Sequence, residues 1–414
     1  MEEVINIEEN RDAMAVRLQL MRQAKSRIRM AVFEFHRDAA GRRIMAALAQ
    51  SAGRGVQVQL LIDGICLFYG LFYSQEFQTL SRMGNVHVRV YNPFKKDNMR
   101  HPNCRMHDKY LLIDDSWLLL GGRNVGNAFL EEDIGKIKKD RDLLVHEQEP
   151  GRGQAYRQLS AYFESVWNSP YAQDWEWAGI SSEMEKDARY QLKRISWESE
   201  KLYEDILLRL SFFPADSVEL AANPIQADKK DPQLFRRILR DAGDYGNVQI
   251  QTPYVILDQD MKNEYKKYLR DARGITIVTN APERGSNYFG SSDLMTRRQR
   301  ILDEGVRLCE YSDPQQVLHG KMILAGGDIT YIGSFNLDNR SCCIDMEADL
   351  RVKSRPFHDH MEETFQELLR HCRIQEEGKK DVGGDLYWPH SMSKKRQTAY
   401  RALSFFGKPL RRLM

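Results

Sequence analysis

The chain has 414 residues, of which 42% are hydrophobic and 29% charged, as is usual for a soluble globular protein with a sizeable core. The formal net charge is +2, so the overall electrostatic field of the protein gives no reason to expect nucleic-acid binding. The sequence contains no run of about eighteen apolar residues, and a membrane-spanning helix is therefore not predicted. The acidic start predicts no signal peptide. Six cysteines without Cys-x-x-Cys or metal-ligand spacing predict reduced thiols in a cytosolic protein.

Helices and strands are predicted to alternate along the first part of the chain, judged from the period of the apolar residues. The predicted order is helix 12–24, strand 27–35, helix 41–52, strand 55–63, helix 74–83 and strand 86–91. Such an order predicts an α/β fold with a mostly parallel sheet that helices cover on both faces.

The second part of the chain repeats this order, with strands predicted at 247–254, 274–280 and 305–311. Each copy closes with an amphipathic helix, at 156–167 and at 357–369. We therefore predict a duplicated α/β unit. The predicted divisions are a first half at 1–180, a helical connector at 181–203, a second half at 204–376 and a basic amphipathic tail at 377–414.

One polar pattern occurs in both copies. His107 is followed by Lys109 and, seventeen residues after the histidine, by Asn124; His319, Lys321 and Asn336 have the same spacing. An apolar run predicted to be a strand follows each lysine, and side chains two apart on a strand share a face. A lone His-x-Lys has no predictive value, but the repeated spacing predicts that each half supplies part of one phosphate site.

These motifs resemble the paired HKD motifs of the phospholipase D superfamily, and the resemblance covers almost the whole chain. It implies a duplicated α-β-α sandwich, with two phospholipase D-like halves related by a pseudo-twofold axis and one active site at the seam. It also implies that the two lysines and two asparagines bind the phosphate oxygens, with no metal and no cofactor. His107 is expected to be the nucleophile and His319 the acid and base, in a coupled pair.

Each histidine is expected to need an orienting carboxylate, and the acids that precede the strands after each asparagine are Asp142 and Glu347. The alternative is that these acids face solvent at the start of a strand. Asp114 completes the first motif and in relatives is structural, whereas the second motif has Gly326 there.

The residues before each asparagine also differ between the two copies. Gly122 in the first copy stands where the second has Ser334, and both are expected to line the substrate site. Only the second half therefore offers a hydroxyl to the phosphate.

Sequences flanking the motifs are similar to those of bacterial cardiolipin synthases, over 121–129, 165–169, 251–254 and 333–341. The similarity implies transfer of a phosphatidyl group from phosphatidylglycerol, or from phosphatidylethanolamine, to phosphatidylglycerol through a phosphohistidine. A phospholipase D-type hydrolase that releases phosphatidic acid is the alternative. A phosphodiesterase on nucleic acid is less favoured, and so is a non-catalytic lipid-binding or scaffold protein. The sequence does not predict the oligomeric state.

Two stretches suggest contact with lipid. After Asp385 the chain has seven basic residues and no acidic one, and a short helix at 395–406 would place cations beside aromatic rings. This composition favours peripheral binding to an anionic membrane surface on its cytoplasmic side, although a disordered basic tail remains open. The apolar stretch 65–73 suits either a loop dipping into lipid or a buried turn.

Overall fold

The structure is a computed structural model of the chain. It describes residues 2–94, 102–131, 137–175, 179–203, 205–225, 230–245, 247–268 and 274–407.

The described strands, numbered in chain order, are short and mostly buried. They are β1 (Glu2–Ile7), β2 (Arg27–Val32), β3 (Gln57–Asp63), β4 (Val86–Tyr91), β5 (Tyr110–Ile113), β6 (Trp117–Gly121), β7 (Ile137–Lys139), β8 (Asp142–Glu147), β9 (Ala172–Asp174), β10 (Phe213–Ala215), β11 (Ser217–Ala222), β12 (Asn247–Gln251), β13 (Val255–Ile256), β14 (Gly274–Asn280), β15 (Val306–Tyr311), β16 (Gln316–Leu318), β17 (Met322–Ala325), β18 (Ile329–Gly333), β19 (Leu337–Asp338), β20 (Ala348–Lys353), β21 (Cys372–Gln375) and β22 (Val382–Gly383).

The α-helices of the described residues are numbered in the same way. They are α1 (Asn10–Gln23), α2 (Ala39–Gly53), α3 (Gln75–Ser81), α4 (Asn127–Leu130), α5 (Gln154–Trp167), α6 (Ser182–Leu202), α7 (Gln233–Tyr245), α8 (Gln259–Tyr268), α9 (Tyr288–Leu302), α10 (Asn339–Cys343), α11 (Arg355–Arg370) and α12 (Lys394–Phe406). Short 3-10 helices cover Gly64–Tyr69, Leu71–Tyr73 and Leu207–Arg209.

The sequence sets several helix starts by side-chain capping. Asp38 accepts the Gly41 amide at the start of α2, and Ser181 accepts the Met184 amide at the start of α6. Ser354 caps α11 in the same way. These residue types satisfy amides that the first turn of a helix leaves without a partner.

The chain divides into two compact units. The first comprises Met1–Gly135, Arg141–Pro214 and Ile225–Asp228, and the second comprises Lys136–Asp140, Ala215–Pro224 and Lys229–Met414. These units differ from the predicted divisions at several places. Residues 137–140 of the predicted first half belong to the second unit, and residues 205–214 of the predicted second half belong to the first.

The predicted connector at 181–203 is one of these places. It forms helix α6, which packs on α2 and α3 of the first unit, because Leu192 and its apolar neighbours are buried there. The predicted tail is another, since its described part belongs to the second unit. There Trp388 bonds Ser312 through its backbone, and Tyr400 is 1% exposed.

Each unit contains a nine-stranded sheet with corresponding strand order. The first is β10-β1-β8-β6-β5-β2-β3-β4-β9, and the second is β11-β20-β18-β17-β12-β14-β15-β21-β22. From β1 to β4 in the first order and from β11 to β15 in the second, the strands match one to one, which confirms the predicted duplication. In the second unit two further short pairs form, β13 with β19 and β7 with β16.

Both sheets are mixed, which corrects the expectation of a mostly parallel sheet. Strands β2-β3-β4 and β12-β14-β15 run parallel, whereas the hairpins β5-β6 and β17-β18 and the strands after them pair antiparallel. The reason is connection length, since tight turns join antiparallel strands while helical crossovers join parallel ones. Apolar side chains from sheet and helices form a buried core in each unit.

Candidate active site

A β-hairpin carries each copy of the motif. In the second unit His319 and Lys321 lie immediately before β17, and β18 returns beside it with Ile332 opposite Met322. Gly333 and Asn336 then follow at the end of the hairpin where the histidine and lysine begin it. The first unit has the same hairpin, in which the Gly121 amide donates to the Lys109 carbonyl at 3.2 Å.

The glycine that ends each hairpin is needed for close packing. A Cβ at Gly121 would lie 2.3 Å from Oδ1 of Asp142, and a Cβ at Gly333 would lie 2.1 Å from Oδ1 of Asp349. The pairing Gly121 with Asp142 and Gly333 with Asp349 shows that these two acids hold equivalent positions. Side chains at both glycines would displace the neighbouring strand.

His319 is held by a carboxylate that the sequence analysis did not select. Its Nδ1 lies 2.5 Å from Oδ2 of Asp140, and its backbone amide donates to the Lys139 carbonyl at 2.8 Å. Strand β7 brings Asp140 there by pairing parallel with β16, the strand that ends one residue before His319. A carboxylate only accepts, so Nδ1 carries the proton and Nε2 keeps its lone pair.

Lys321 lies directly against this imidazole. Its Nζ is 3.1 Å from Nδ1 of His319 and donates to the His319 carbonyl at 2.7 Å. Burial and the Lys321 charge lower the pKa of His319 to about 3, although Asp140 acts in the opposite direction. Burial also lowers the pKa of Lys321, against the raising effect of nearby carboxylates. The imidazole is therefore neutral at neutral pH, with its side chain 14% exposed.

Glu347 is fully buried in the second unit and holds the loop before Asn336. Its two carboxylate oxygens accept hydrogen bonds of 2.5 Å from the hydroxyls of Ser334 and Ser341. The Ser334 hydroxyl therefore contacts Glu347, and its predicted contact with substrate stays a prediction. The orienting role expected of Glu347 also stays a prediction.

The neighbouring acid, Asp349, caps the same loop. Its Oδ1 accepts the backbone amides of Ser334 and Phe335 at 2.9 and 3.1 Å. Burial, with a further contribution from the charge of Glu347, raises the pKa of Asp349 to about 7 against these hydrogen bonds.

Asp142, the equivalent residue in the first unit, is paired with two arginines. Its carboxylate accepts hydrogen bonds from Arg17 at 2.9 Å and Arg123 at 3.2 Å. Asp142 therefore neutralises two buried guanidinium groups and does not face solvent, and the orienting role expected of it stays a prediction. Asp140, two residues earlier, was not predicted, because the pairing of β7 with β16 leaves no signal in the sequence.

In the first unit His107, Lys109 and Asn124 are all buried, with 8%, 4% and 3% of their surface exposed. Lys109 donates to the His107 carbonyl, as Lys321 does to His319. The Phe33 ring makes an edge contact with the His107 ring at 4.8 Å between centroids and lies 4.9 Å from the Lys109 nitrogen. This aromatic contact supports the cation from one side.

The sequence analysis also missed Glu34. Asn124 donates to Oε2 of Glu34 at 3.0 Å, and the Tyr69 hydroxyl donates to Oε1 at 2.9 Å. Burial raises the pKa of Glu34, but hydrogen bonds with His36 and Tyr69 outweigh it and bring the value to about 2. Glu34 is therefore an ionised carboxylate beside the motif asparagine, and strand order gives it a counterpart in the second unit.

That counterpart is Tyr254. Ala31 pairs with Tyr110, which lies three residues after His107. Gln251 pairs with Met322, which lies three residues after His319. Three residues after Ala31 and Gln251, just beyond the ends of β2 and β12, come Glu34 and Tyr254. The Asn336 carboxamide donates to the Tyr254 hydroxyl at 3.4 Å, so the same strand position supports the asparagine in both units.

Asp114 lies away from these side chains, in a turn. Its carboxylate accepts the backbone amides of Lys25, Ser26 and Arg27 at 2.8 to 3.3 Å. Asp114 has a φ of 50°, and Gly326 at the equivalent position has a φ of 66°. The turn is therefore retained without the aspartate, since glycine adopts this conformation freely. The Gly122 amide donates to the Arg141 carbonyl at 3.1 Å, and its predicted contact with substrate stays a prediction.

The apolar stretch 65–73 is partly buried and partly exposed. Cys66, Leu71 and Phe72 belong to the core, whereas Phe68 and Tyr73 are 66% and 69% exposed. The stretch therefore combines the two predicted alternatives. Tyr69 links it to the first motif through Glu34.

Helix α12 forms where the sequence predicted a helix. Tyr400 is buried, and Arg396 donates to the carbonyls of Pro282, Glu283 and Gly285. Phe405 and Phe406 are exposed at the end of the helix. Residues 408–414, which carry Lys408, Arg411 and Arg412, lie outside the described residues.

No helix among the described residues is long and apolar enough to cross a bilayer. In the same part of the chain, no group of three or more His, Cys, Asp or Glu side chains is arranged to hold a metal ion. All six cysteines are buried.

The chain matches the family model described as "Cardiolipin synthase, PLD-like domain" over residues 18–167 and 236–369. It is similar to cardiolipin synthase of Clostridium perfringens, with 25% identity over 354 residues that cover 84% of this chain and 67% of the relative. It is also similar to cardiolipin synthase C of Escherichia coli, with 22% identity over 402 residues, 87% of this chain and 83% of the relative.

Among solved structures, the fold is similar to that of phosphatidylserine synthase of Haemophilus influenzae. The TM-score is 0.67 with 14% identity, and the likeness covers 99% of this chain and 95% of that one. At this identity the likeness shows the duplicated phospholipase D-like fold. Together with the family match over both motifs, it shows that this chain belongs to the family of phospholipase D-like cardiolipin synthases and is a phosphatidyltransferase of that type.

Proposed function

We propose that the chain makes cardiolipin by transferring a phosphatidyl group from a phospholipid to phosphatidylglycerol through a phosphohistidine. The observation that carries the proposal is the repeated motif, in which each unit presents a buried lysine, a buried asparagine and a buried or largely buried histidine from one hairpin end. The match to cardiolipin synthases supports this substrate class.

The proposal requires both motifs to serve one reaction. A phosphodiester carries one negative charge and has a poor leaving group, so its transfer needs fixed donors for the non-bridging oxygens. Lys109, Lys321 and the two motif asparagines supply them. Gly122 and Ser334 are proposed to border the same phosphate.

In the first step the His107 imidazole forms a bond to phosphorus, and the bond from phosphorus to the leaving alcohol oxygen breaks. His319 gives its proton to that oxygen, so the alcohol leaves neutral. In the second step the hydroxyl of phosphatidylglycerol gives its proton to His319 and attacks phosphorus, and the bond to His107 breaks.

The surroundings of His319 determine its protonation state before and after substrate binds. His319 is neutral in the free protein because it is buried and Lys321 lies beside it. A bound phosphodiester would offset the Lys321 charge and raise the pKa of His319, which the acid role requires. The neutral state suits its second role, as base for the entering hydroxyl.

We further propose that the protein acts at an anionic membrane surface without spanning it. Helix α12 carries exposed Phe405 and Phe406 at its end, and residues 386–407 contain basic residues and no acid. Exposed Phe68 and Tyr73 in the first unit add a second apolar contact. Cations beside exposed aromatic rings favour binding to anionic lipid.

The experiment is product analysis with purified protein and vesicles of phosphatidylglycerol labelled in its head-group glycerol. Transfer predicts cardiolipin together with labelled free glycerol, both identified by mass spectrometry. A second vesicle set containing phosphatidylethanolamine identifies the donor.

Phosphatidic acid as the main product would favour a hydrolase and contradict the transfer proposal. Absence of both products, with the double variant His107→Ala, His319→Ala as control, would contradict phosphatidyl transfer altogether.

A further inference from the structure

A polar side chain ends the second parallel strand of each unit and contacts the residue just before the motif histidine. Oδ2 of Asp63, at the end of β3, accepts the Met106 amide at 2.8 Å. Oδ1 of Asn280, at the end of β14, accepts the Leu318 amide at 2.9 Å. Met106 and Leu318 each lie one residue before a motif histidine.

The register shows that these two side chains hold equivalent positions. Ala31 pairs with Leu61 in the first unit, and Gln251 pairs with Val278 in the second. Two residues further on come Asp63 and Asn280, which are 0% and 6% exposed. The same contact therefore occurs twice, with different chemistry in each copy.

Asp63 and Asn280 each also bond the backbone of the segment that leads to the support of the motif asparagine. Asn280 donates to the Leu318 carbonyl at 2.8 Å and to the Pro253 carbonyl at 2.9 Å. Pro253 precedes Tyr254, whose hydroxyl accepts from the Asn336 carboxamide. The Asn280 side chain thus links the backbone just before His319 with the segment that carries Tyr254, the residue that accepts from Asn336.

Asp63 makes the corresponding link in the first unit. Its Oδ1 accepts the Ile65 amide at 2.8 Å, at the start of the short helix that carries Tyr69. Tyr69 bonds Glu34, and Glu34 holds Asn124. The Asp63 charge is balanced by buried Arg105 at 3.3 Å.

We infer that Asp63 and Asn280 are equivalent positioning residues, which fix the backbone entering each histidine and thereby align imidazole, asparagine and phosphate. They act through the motif residues and not on substrate. The inference rests on the proposed function for its effect on turnover, because misplacement of reacting groups by about 1 Å costs on the order of 10²-fold in rate.

The test compares Asn280→Ala and Asn280→Asp with the control Thr279→Val. Thr279 is the adjacent buried residue, and its hydroxyl bonds no described residue. We expect Asn280→Ala to lower kcat about 10- to 100-fold with KM within about threefold of wild type. Thr279→Val should retain wild-type kcat and KM. Equal kcat for Asn280→Ala and Thr279→Val would overturn the inference.

Asn280→Asp provides a readout that needs no substrate. It keeps an acceptor for the Leu318 amide, loses two donated hydrogen bonds and adds a negative charge near His319, which already faces Asp140, Lys321 and Lys138. NMR titration of labelled histidine should show His319 titrating at higher pH than in wild type. An unchanged titration would contradict the placement of Asn280.

Asp63 supplies the second half of the test, should Asn280→Ala fail to fold. Asp63→Asn keeps an acceptor for the Met106 amide, whereas Asp63→Ala removes it. We expect Asp63→Asn to recover part of the kcat that Asp63→Ala loses; equal loss in both would count against positioning. If wild-type protein makes no lipid product, the proposed function fails, while the His319 titration still decides the role of Asn280.

Discussion

Oδ2 of Asp140 lies 2.5 Å from Nδ1 of His319, and this contact fixes which nitrogen of the ring is free to take part in proton transfer. Asp140 is fully buried, so the contact is shielded from water. Because β7 supplies the aspartate and β16 leads to the histidine, the pairing of two three-residue strands is what creates the contact.

Asp140→Asn should therefore lower kcat strongly, because an amide no longer holds the imidazole in the required tautomer. Comparable substitutions in histidine-aspartate pairs cost roughly 10⁴-fold. Steady-state kinetics of lipid turnover measure the loss. The matched control is Asp142→Asn, which breaks buried pairs with Arg17 and Arg123 and should cost about 3 to 5 kcal/mol in free energy of unfolding.

Both variants should therefore be measured for kcat and for denaturant-induced unfolding. A larger kcat loss per folded molecule in Asp142→Asn than in Asp140→Asn would reverse the two assignments.

The buried imidazole also predicts how stability depends on pH. The pKa of His319 is lowered to about 3 in the folded protein, from about 6.5 in the unfolded chain. Since the unfolded state then binds more protons below pH 6.5, this contribution is present above that pH and is lost as pH falls toward 3.

His319→Gln should remove this dependence. The free energy of unfolding of wild type should fall more between pH 7 and pH 5 than that of His319→Gln. Denaturant titrations at both pH values measure the free energy of unfolding of each protein. Comparing the two proteins cancels the effect of the other titrating groups, which are the same in both. Parallel decreases in the two proteins would show that the imidazole is not held neutral.

Glu34 provides the third prediction. It is an ionised carboxylate that accepts from Asn124 and Tyr69, and a hydrogen bond to a charged group contributes about 1.5 to 3 kcal/mol. We expect Glu34→Ala to lower kcat/KM about 10- to 100-fold. Glu34→Gln, which keeps an acceptor for Asn124, should lose less. Tyr73→Phe, at an exposed ring four residues after Tyr69, is the control. Equal losses in Glu34→Gln and Glu34→Ala would contradict a supporting role through hydrogen bonding.

The exposed end of α12 provides the fourth prediction. Because Tyr400 and Arg396 bind this helix to the second unit, deleting it would disturb the fold, so point substitutions are the sharper test. The double variant Phe405→Ser, Phe406→Ser should sediment less with phosphatidylglycerol vesicles than wild type does. Its turnover of short-chain substrate in detergent should be unchanged. Leu208→Ser, at a residue 93% exposed outside the helix, is the matched control. Equal sedimentation of the double variant and the control would exclude this end of α12 as a membrane contact.

The duplication and the strand after each motif lysine were predictable, because the spacing of His, Lys and Asn and the apolar run after each lysine are local patterns that occur twice. Helices α1, α2 and α5 and strands β3 and β4 lie within a few residues of their predicted bounds for the same reason. The histidine and lysine of each motif lie just before the predicted strand, β5 or β17.

Contacts between distant stretches were not predictable. Asp140 reaches His319 across 179 residues of sequence, and Glu34 reaches Asn124 across 90. Asp142 was predicted as an orienting carboxylate because the sequence gives no sign that Arg17 and Arg123 lie beside it. The mixed sheet was missed because the apolar runs were judged as parallel strands, while the short turns after β5 and β17 dictate antiparallel pairing.

The central claim is that both motifs serve one phosphatidyl transfer, and the most direct measurement is cardiolipin formation by the two single-histidine variants. His107→Ala and His319→Ala, each shown to be folded by circular dichroism, are incubated with phosphatidylglycerol vesicles beside wild type. The account predicts cardiolipin from wild type and less than a few per cent of that rate from either variant. Retention of substantial cardiolipin formation by both variants would contradict it.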